Sequence, residues 1–170
     1  MEVTIRRART ADVRAIRRLV DLYATDRRLL SKATVALYES VQDFRVAQHP
    51  DGAVIGCGAL HVMWEDLAEV RTVAVDPDHR GRRIGYRIVA ELLAAARELG
   101  VARVFCLTFE TGFFGSLGFA EIDGAPVPPK VYEELLRSYD EGVAEFLELE
   151  RVKPNTLGNT RMLLRLEQPS

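Results

Sequence analysis

The most constraining stretch of the chain runs from Glu69 to Leu93 and reads as a buried strand, an arginine-rich loop and an amphipathic helix. Val70, Val73 and Val75 are β-branched, as a strand favours. Asp76-Pro77-Asp78 ends the strand, because proline lacks an N–H and restricts the residue before it. From Ile84 the apolar residues fall at Ile84, Ile88, Leu92, Ala96 and Leu99, which is a helical repeat. Between strand and helix lies Arg80-Gly81-Arg82-Arg83-Ile84-Gly85. The first amides of a helix have no partner within it and carry its positive dipole end, so beside three arginines they suit a diphosphate.

The rest of the sequence bounds what this segment belongs to. A chain of 170 residues, 48% of them hydrophobic, is enough for one domain with a sizeable core, taken as residues 1–170. A net charge of −2 gives no sign of a nucleic-acid surface. No apolar run approaches the ~20 residues of a membrane helix, and Met1-Glu-Val-Thr-Ile-Arg-Arg lacks the apolar centre of a signal peptide. Cys57 and Cys106 sit in apolar strand-like runs and read as buried hydrophobes, with no disulfide framework. A cytoplasmic protein without a metal site is expected.

Along the chain, Val3 to Arg7 alternates as a first strand, Thr10 is a candidate N-cap, and Val13, Ile16, Leu19, Val20 and Tyr23 form one helix face. Ser31 can cap a second helix to about Val41. Strands are expected at Phe44 to Gln48, Ala53 to Val62, from Leu67, and at Arg103 to Thr108. His49-Pro-Asp-Gly52 is a turn and Gly100 a helix C′ residue. Gly112 to Leu117 reads as a short helix, and Gly118-Phe119 opens a further strand. Pro126-Val-Pro-Pro129 breaks the chain before a helix from Val131 to Tyr139, and Met162 to Leu166 is the last strand. The acidic C-terminal stretch around Glu141 to Glu150 reads as a solvated face.

The Glu69-to-Leu93 segment resembles motif A of the GNAT acyl-CoA N-acetyltransferases, whose loop reads Arg/Gln-x-x-Gly-x-Gly/Ala. Arg80 and Gly85 match its first and last positions, and Arg83 stands in place of the middle glycine. The order of elements is also that of the family. The resemblance implies an α/β (α+β) GNAT fold, a mixed central sheet with flanking helices, splayed at the acetyl-CoA site between the strands at Glu69 and Arg103. It implies acetyl-CoA as cosubstrate, held by Arg80, Gly81, Arg82, Arg83, Ile84 and Gly85, with its pantetheine arm against the backbone of Val73, Ala74 and Val75.

The stretches Leu107-Thr-Phe-Glu-Thr111-Gly-Phe-Phe114 and Lys153-Pro-Asn-x-x-Gly-Asn159 are similar to those of the short bacterial amino-acid N-acetyltransferases, the N-acetylglutamate synthases in particular. The implied reaction is acetyl transfer to the amine of L-glutamate, the first step of arginine biosynthesis. Longer synthases carry an additional arginine-binding domain; arginine as a feedback inhibitor and a homodimer are family-level expectations here. A protonated amine is no nucleophile, so a base must take its proton. Glu69 is the expected base, directly or through water, with His61 as the alternative. Thr111 is the candidate to assist the leaving thiolate, since the position of the tyrosine used by many relatives looks like Phe114; Ser116 is a nearby hydroxyl. Arginine pairs bidentately with carboxylates, and strand period places Arg71 on the face of Glu69. Arg71 is therefore the expected carboxylate ligand, with Lys32, Thr72, Lys153, Asn155, Asn159 and Arg161 as further substrate-site candidates. Other acceptors (glutamine, another amino acid, a protein N-terminus) and a non-catalytic acetyl-CoA sensor are the competing readings.

Overall fold

The computed structural model describes residues 2–24, 33–156 and 158–167, without the side chains of residues 154 and 155. The chain forms two compact units: Met1–His61 with Val70–Leu99, and Val62–Glu69 with Gly100–Ser170.

The first unit opens with β1 (Thr4–Arg7), α1 (Val13–Ala24), α2 (Thr34–Glu39) and β2 (Phe44–Gln48). It holds most of β3 (Val54–Trp64) and β4 (Leu67–Val75), and then α3 (Ile84–Leu99). β1, β2 and β3 pair antiparallel, with a register shift at Ala47/Gln48 just before the turn. Gly52 at that turn has φ 93°, a conformation glycine adopts without steric cost. One face of the sheet packs under α1 and α2, where Ile16, Leu19, Leu37, Phe44, Val46 and Cys57 are buried. Helix α3 covers the other face closely because β3 offers glycines there. A Cβ on Gly58 would lie 2.8 Å from Ile88 Cγ2 and 3.1 Å from Leu92 Cδ1.

The second unit holds the first residues of β4, then β5 (Arg103–Thr108), α4 (Thr111–Ser116), β6 (Ala120–Glu121), α5 (Pro129–Leu135), α6 (Glu141–Phe146), α7 (Lys153–Thr156) and β7 (Thr160–Arg165). β4 runs parallel to β5 for Leu67↔Arg103, Ala68↔Val104 and Glu69↔Phe105. β5 pairs antiparallel with β7, and β7 with β6. Hydrogen-bonded neighbours thus follow the order β1-β2-β3-β4-β5-β7-β6, a mixed sheet with flanking helices. The β4–β5 ladder ends at Glu69. Met63, Leu67, Phe105, Val143, Phe146 and Leu163 form the core of this unit.

Some boundaries differ from the sequence reading. Thr10 does not cap α1; it begins a short 3₁₀ turn after Arg9, and the Asp12 carboxylate accepts the Arg9 N–H at 2.7 Å. Ser31 lies outside the described residues, and α2 begins at Thr34. The strand after Gly118-Phe119 is only two residues long, and α5 ends at Leu135 instead of Tyr139. The acidic stretch is not wholly solvated: Glu145 is buried on α6. Both cysteines are buried thiols, as expected.

Asp12 also accepts two hydrogen bonds from the Arg6 guanidinium, at 2.7 and 2.9 Å. That bidentate pair, followed by the Arg9 amide, holds its carboxyl below the usual carboxylate value against the opposing effect of burial. A depressed folded pKa stabilises above the unfolded value near 3.9 and is lost as pH falls through the folded value. Asp12→Asn is therefore expected to cost about 1–3 kcal/mol at pH 7. The difference from the parent should shrink as the pH is lowered through and below about 4, measured by urea unfolding across pH.

Candidate functional site

In the first unit the site is built around the junction of β4 and α3. Asp76 follows β4, and its carboxylate accepts the Asp78 N–H at 3.0 Å, starting a 3₁₀ turn over Pro77–His79. The loop then needs two left-handed residues, Gly81 at φ 79° and Arg83 at φ 59°. Glycine takes this conformation freely, whereas an arginine there costs roughly 1–3 kcal/mol. Arg83 thus adopts a glycine-like backbone, and its guanidinium stacks on Tyr86 at 4.5 Å from the ring centroid, one helical turn on. Arg87 N–H then bonds the Arg83 carbonyl, so α3 is under way.

Tyr23, on the last turn of α1, ties this loop to the strand. Its hydroxyl donates to the Val75 carbonyl at 2.5 Å and accepts from Arg80 at 3.2 Å. Arg18, also on α1, approaches Asp76 at 3.7 Å and donates to the Val54 carbonyl. Arg80, Gly81, Arg82 and Arg83 are all exposed. Tyr23 was read only as part of an apolar face; a phenol at the last turn, where one end stays wet, was the available signal.

β4 carries a second departure. Thr72 has φ 58° within the strand, although it is β-branched and buried. The Cys57 thiol donates to its carbonyl at 3.5 Å. Strain of this kind survives only where surrounding structure over-determines it, and such positions gather at functional sites. Arg71, Val73 and Val75 on either side are half-buried. His61, the alternative base, has Nδ1 3.1 Å from the Asp43 carboxylate.

In the second unit Glu69 is 4% exposed, at the end of the parallel ladder. It lies close enough to Cys106 and Arg161 to act on both charges. Burial first, and Glu69 second, push the Cys106 thiol far above its ordinary value. Burial lowers Arg161, while Glu148, Asp123 and Glu69 oppose that effect. Arg161 is not held out toward a ligand. It donates to the carbonyls of Glu145 (2.9 Å), Gly124 (2.7 Å) and Phe146 (2.5 Å), and its guanidinium lies 5.1 Å from the Phe105 centroid.

Thr111 is the exposed first residue of α4, whose N-cap position is Glu110. Thr108 Oγ1 accepts the Glu110 N–H, and Ser116 Oγ donates to the Phe113 carbonyl. Phe114 is buried between Phe113 and Phe119, with ring centroids at 5.0 and 5.3 Å. Lys153 pairs with Glu150 at 2.9 Å on the surface. Asn159 N–H bonds the Thr156 carbonyl. Asn155 falls in α7 with its side chain outside the description, and Lys32 lies outside the described residues. Among the described residues no group of three or more His, Cys, Asp or Glu is placed to hold a metal ion. Nor is any helix of those residues long and apolar enough to cross a membrane.

Known proteins share this arrangement. Residues 16–122 match the Acetyltransferase (GNAT) family. An amino-acid acetyltransferase of Mycobacterium tuberculosis is 62% identical over 95% of this chain and 94% of its own length. A crystal structure from the same organism, in complex with CoA and a second ligand, superposes with a TM-score of 0.94 at 61% identity, covering 96% of this chain and 99% of that one. An amino-acid acetyltransferase of Neisseria meningitidis is 32% identical over 69% of this chain, which matches only 27% of that longer protein. N-acetylglutamate synthase of Neisseria gonorrhoeae, solved with coenzyme A and N-acetyl-glutamate, shares the fold with a TM-score of 0.80 at 24% identity, covering 99% of this chain and 36% of that one. An arginine-initiated loop between β4 and α3, on this order of strands and with these relatives, has one reading: the chain belongs to the GNAT acetyltransferase family and is an acyltransferase with acetyl-CoA as its cosubstrate.

Proposed function

We propose that this chain acetylates the α-amine of L-glutamate by direct transfer from acetyl-CoA, the entry step of arginine biosynthesis, as one cytoplasmic domain that works as a homodimer. The observation that carries the amino-acid acceptor is the 62% identity, over nearly the whole chain, to a relative called an amino-acid acetyltransferase. Arginine as a feedback ligand belongs to the same reading and has the weaker support: a synthase solved with L-arginine at 23% identity shares only the fold.

The chemistry follows from the residues. The loop from Arg80 to Gly85 holds the diphosphate, and the backbone of Val73 to Val75 receives the pantetheine arm. Arg71, with Thr72 and the candidates Lys32, Lys153, Asn155 and Asn159, holds the acceptor. Glu69 takes a proton from the ammonium group, directly or through a water. The freed lone pair attacks the thioester carbonyl, the C–S bond breaks, and the CoA thiolate leaves, assisted by Thr111 or water. A thiol pKa of about 8.5 makes this leaving group tolerable without a strong acid. Direct transfer is favoured over an acetyl-cysteine intermediate by the buried thiols. Cys57 is pushed up to about 12 by burial, and Cys106 is also raised. Only a thiolate is a useful nucleophile.

Three measurements test this reading. A panel of amino acids, their amides and N-terminal peptides, assayed with acetyl-CoA for thiol release, should show the highest kcat/KM for glutamate; preference for glutamine or a peptide would replace the acceptor. Glu69→Gln should lower kcat by about 10²–10⁴-fold with both substrates still bound. Turnover should recover partly at high pH, where free amine is present, and near-normal turnover at neutral pH would move the base to His61. Arg71→Ala should raise the glutamate KM about ten- to a hundred-fold, the cost of one charged hydrogen-bonded contact. Its CoA affinity should stay unchanged, and equal loss of both would make Arg71 a cosubstrate or structural residue.

A further inference from the structure

Within the first unit, β1 is the edge strand, and its pairing with β2 sets Arg7 directly opposite Arg45. Like charges at directly opposed positions are destabilising. Two residues along, Ile5 lies opposite Ala47, which is fully buried on the face packed by α3. Arg7 and Arg45 therefore share the face that looks toward α3. A cavity of about 300 Å³ opens there, lined by Ile5, Arg7, Arg45, Glu91, Ala95 and Glu98 among others. Glu91 and Glu98 are seven residues apart on α3, two turns on one stripe.

Arg7, Glu91 and Glu98 are exposed, and the four charged side chains stand near one another without closing into pairs. Among the described residues none of Arg7, Arg45, Glu91 and Glu98 is in an ion pair. Arg45 is half-buried, and its hydrogen bond is a long 3.5 Å contact to the Phe44 carbonyl. Burial, and after it the Arg7 charge, lower its guanidinium from the ordinary arginine value, with Glu91 and Glu98 acting in the opposite direction. On β1 the neighbouring Arg6 is by contrast engaged by Asp12 and Gln48.

We infer that this cavity is a second ligand site, taking a small zwitterionic α-amino acid whose carboxylate bridges Arg7 and Arg45 and whose ammonium faces Glu91 and Glu98. An anion between the two arginines removes their repulsion and offers the half-buried Arg45 a bidentate acceptor. A cation against α3 matches the two carboxylates. The volume lies at the lower end of ordinary ligand pockets, which suits a single amino acid and not a nucleotide. Ile5 and Ala95 offer a short apolar wall for the side chain. The inference does not rest on the proposed acetyl acceptor: none of these residues belongs to the loop at Arg80, to β4 or to the second unit.

The test is a two-dimensional NMR titration of the isotope-labelled full chain with each of the twenty L-amino acids, and with the carboxamide of any that binds. The amides of Ile5, Arg7, Arg45 and Glu98 should shift saturably with at least one amino acid, and the carboxamide should bind about ten- to a hundred-fold more weakly. Arg45→Gln should abolish the saturable shift, leave CoA-induced shifts at Arg80 to Gly85 intact, and leave the ligand-free Tm unchanged or raised. Glu98→Gln should weaken the same ligand while keeping the arginine pair, so the question stays open to test if Arg45→Gln folds poorly. Absence of saturable shifts with every amino acid, equal binding of the carboxamide, or unchanged affinity in Glu98→Gln would overturn the site. Shifts confined to the neighbours of Glu69 and Arg71 would report the acceptor site alone, and would also overturn it.

Discussion

The hydroxyl of Tyr23 is the small hinge on which the junction of β4 and α3 depends. One oxygen donates to the Val75 carbonyl at the end of β4 and accepts from Arg80 at the start of the loop. It thereby joins α1, β4 and the approach to α3 at a point where the backbone makes two left-handed turns within three residues. Strained backbone of this kind needs external support. The Arg18 contacts to Asp76 and to the Val54 carbonyl supply more of it from the same helix. α1 therefore does more than cover a sheet. Its last turn holds the strand end, and its apolar stripe, Ile16, Leu19 and Val20, fixes where that turn lies.

What was legible in the sequence follows from what is local. The boundaries of β2 and β5 coincide with the expected ones, and α3 starts at the Ile84 from which its apolar repeat was read. α3 has a clear period and a clear stop at Gly100, and β2 is closed by the turn at His49 to Gly52. The left-handed Thr72 and Arg83 were not legible as strained positions, because both are L-residues with a Cβ and neither type signals positive φ. At Arg83 the family pattern gave a partial hint, since a glycine normally stands there. At Thr72 tertiary context alone decides. The short α5 and two-residue β6 show the same limit, as their ends are set by packing around Phe146 and Leu163 more than by propensity.

Charged side chains were the least legible part of the site, because composition does not say what a guanidinium will meet. Arg161 follows the Lys153-to-Asn159 stretch and looked available for a carboxylate. Its donors instead close on the carbonyls of Gly124, Glu145 and Phe146, with its face on Phe105. Helix C-termini and loops leave such carbonyls without intrahelical partners, and an arginine fork is a compact way to satisfy three of them. It fastens the chain after α6 onto β7, and so holds the segment that bears Lys153 and Asn159. Arg71 differs in kind: it lies on β4 beside the strained Thr72, where position rather than residue type marks it as a functional candidate.

Burial around Glu69 narrows the chemistry further. Glu69 is only 4% exposed, beside two groups whose protonation it affects. Glu69 is near enough to Arg161 to oppose the downward shift that burial gives the guanidinium. The same carboxylate pushes the adjoining Cys106 thiol upward, so the two groups cannot ionise together at low cost. A cysteine beside a base often signals a covalent acyl carrier, yet here the pair works against thiolate formation. Burial and the neighbouring carboxylate both hold the Cys106 thiol up, so no thiolate is offered there.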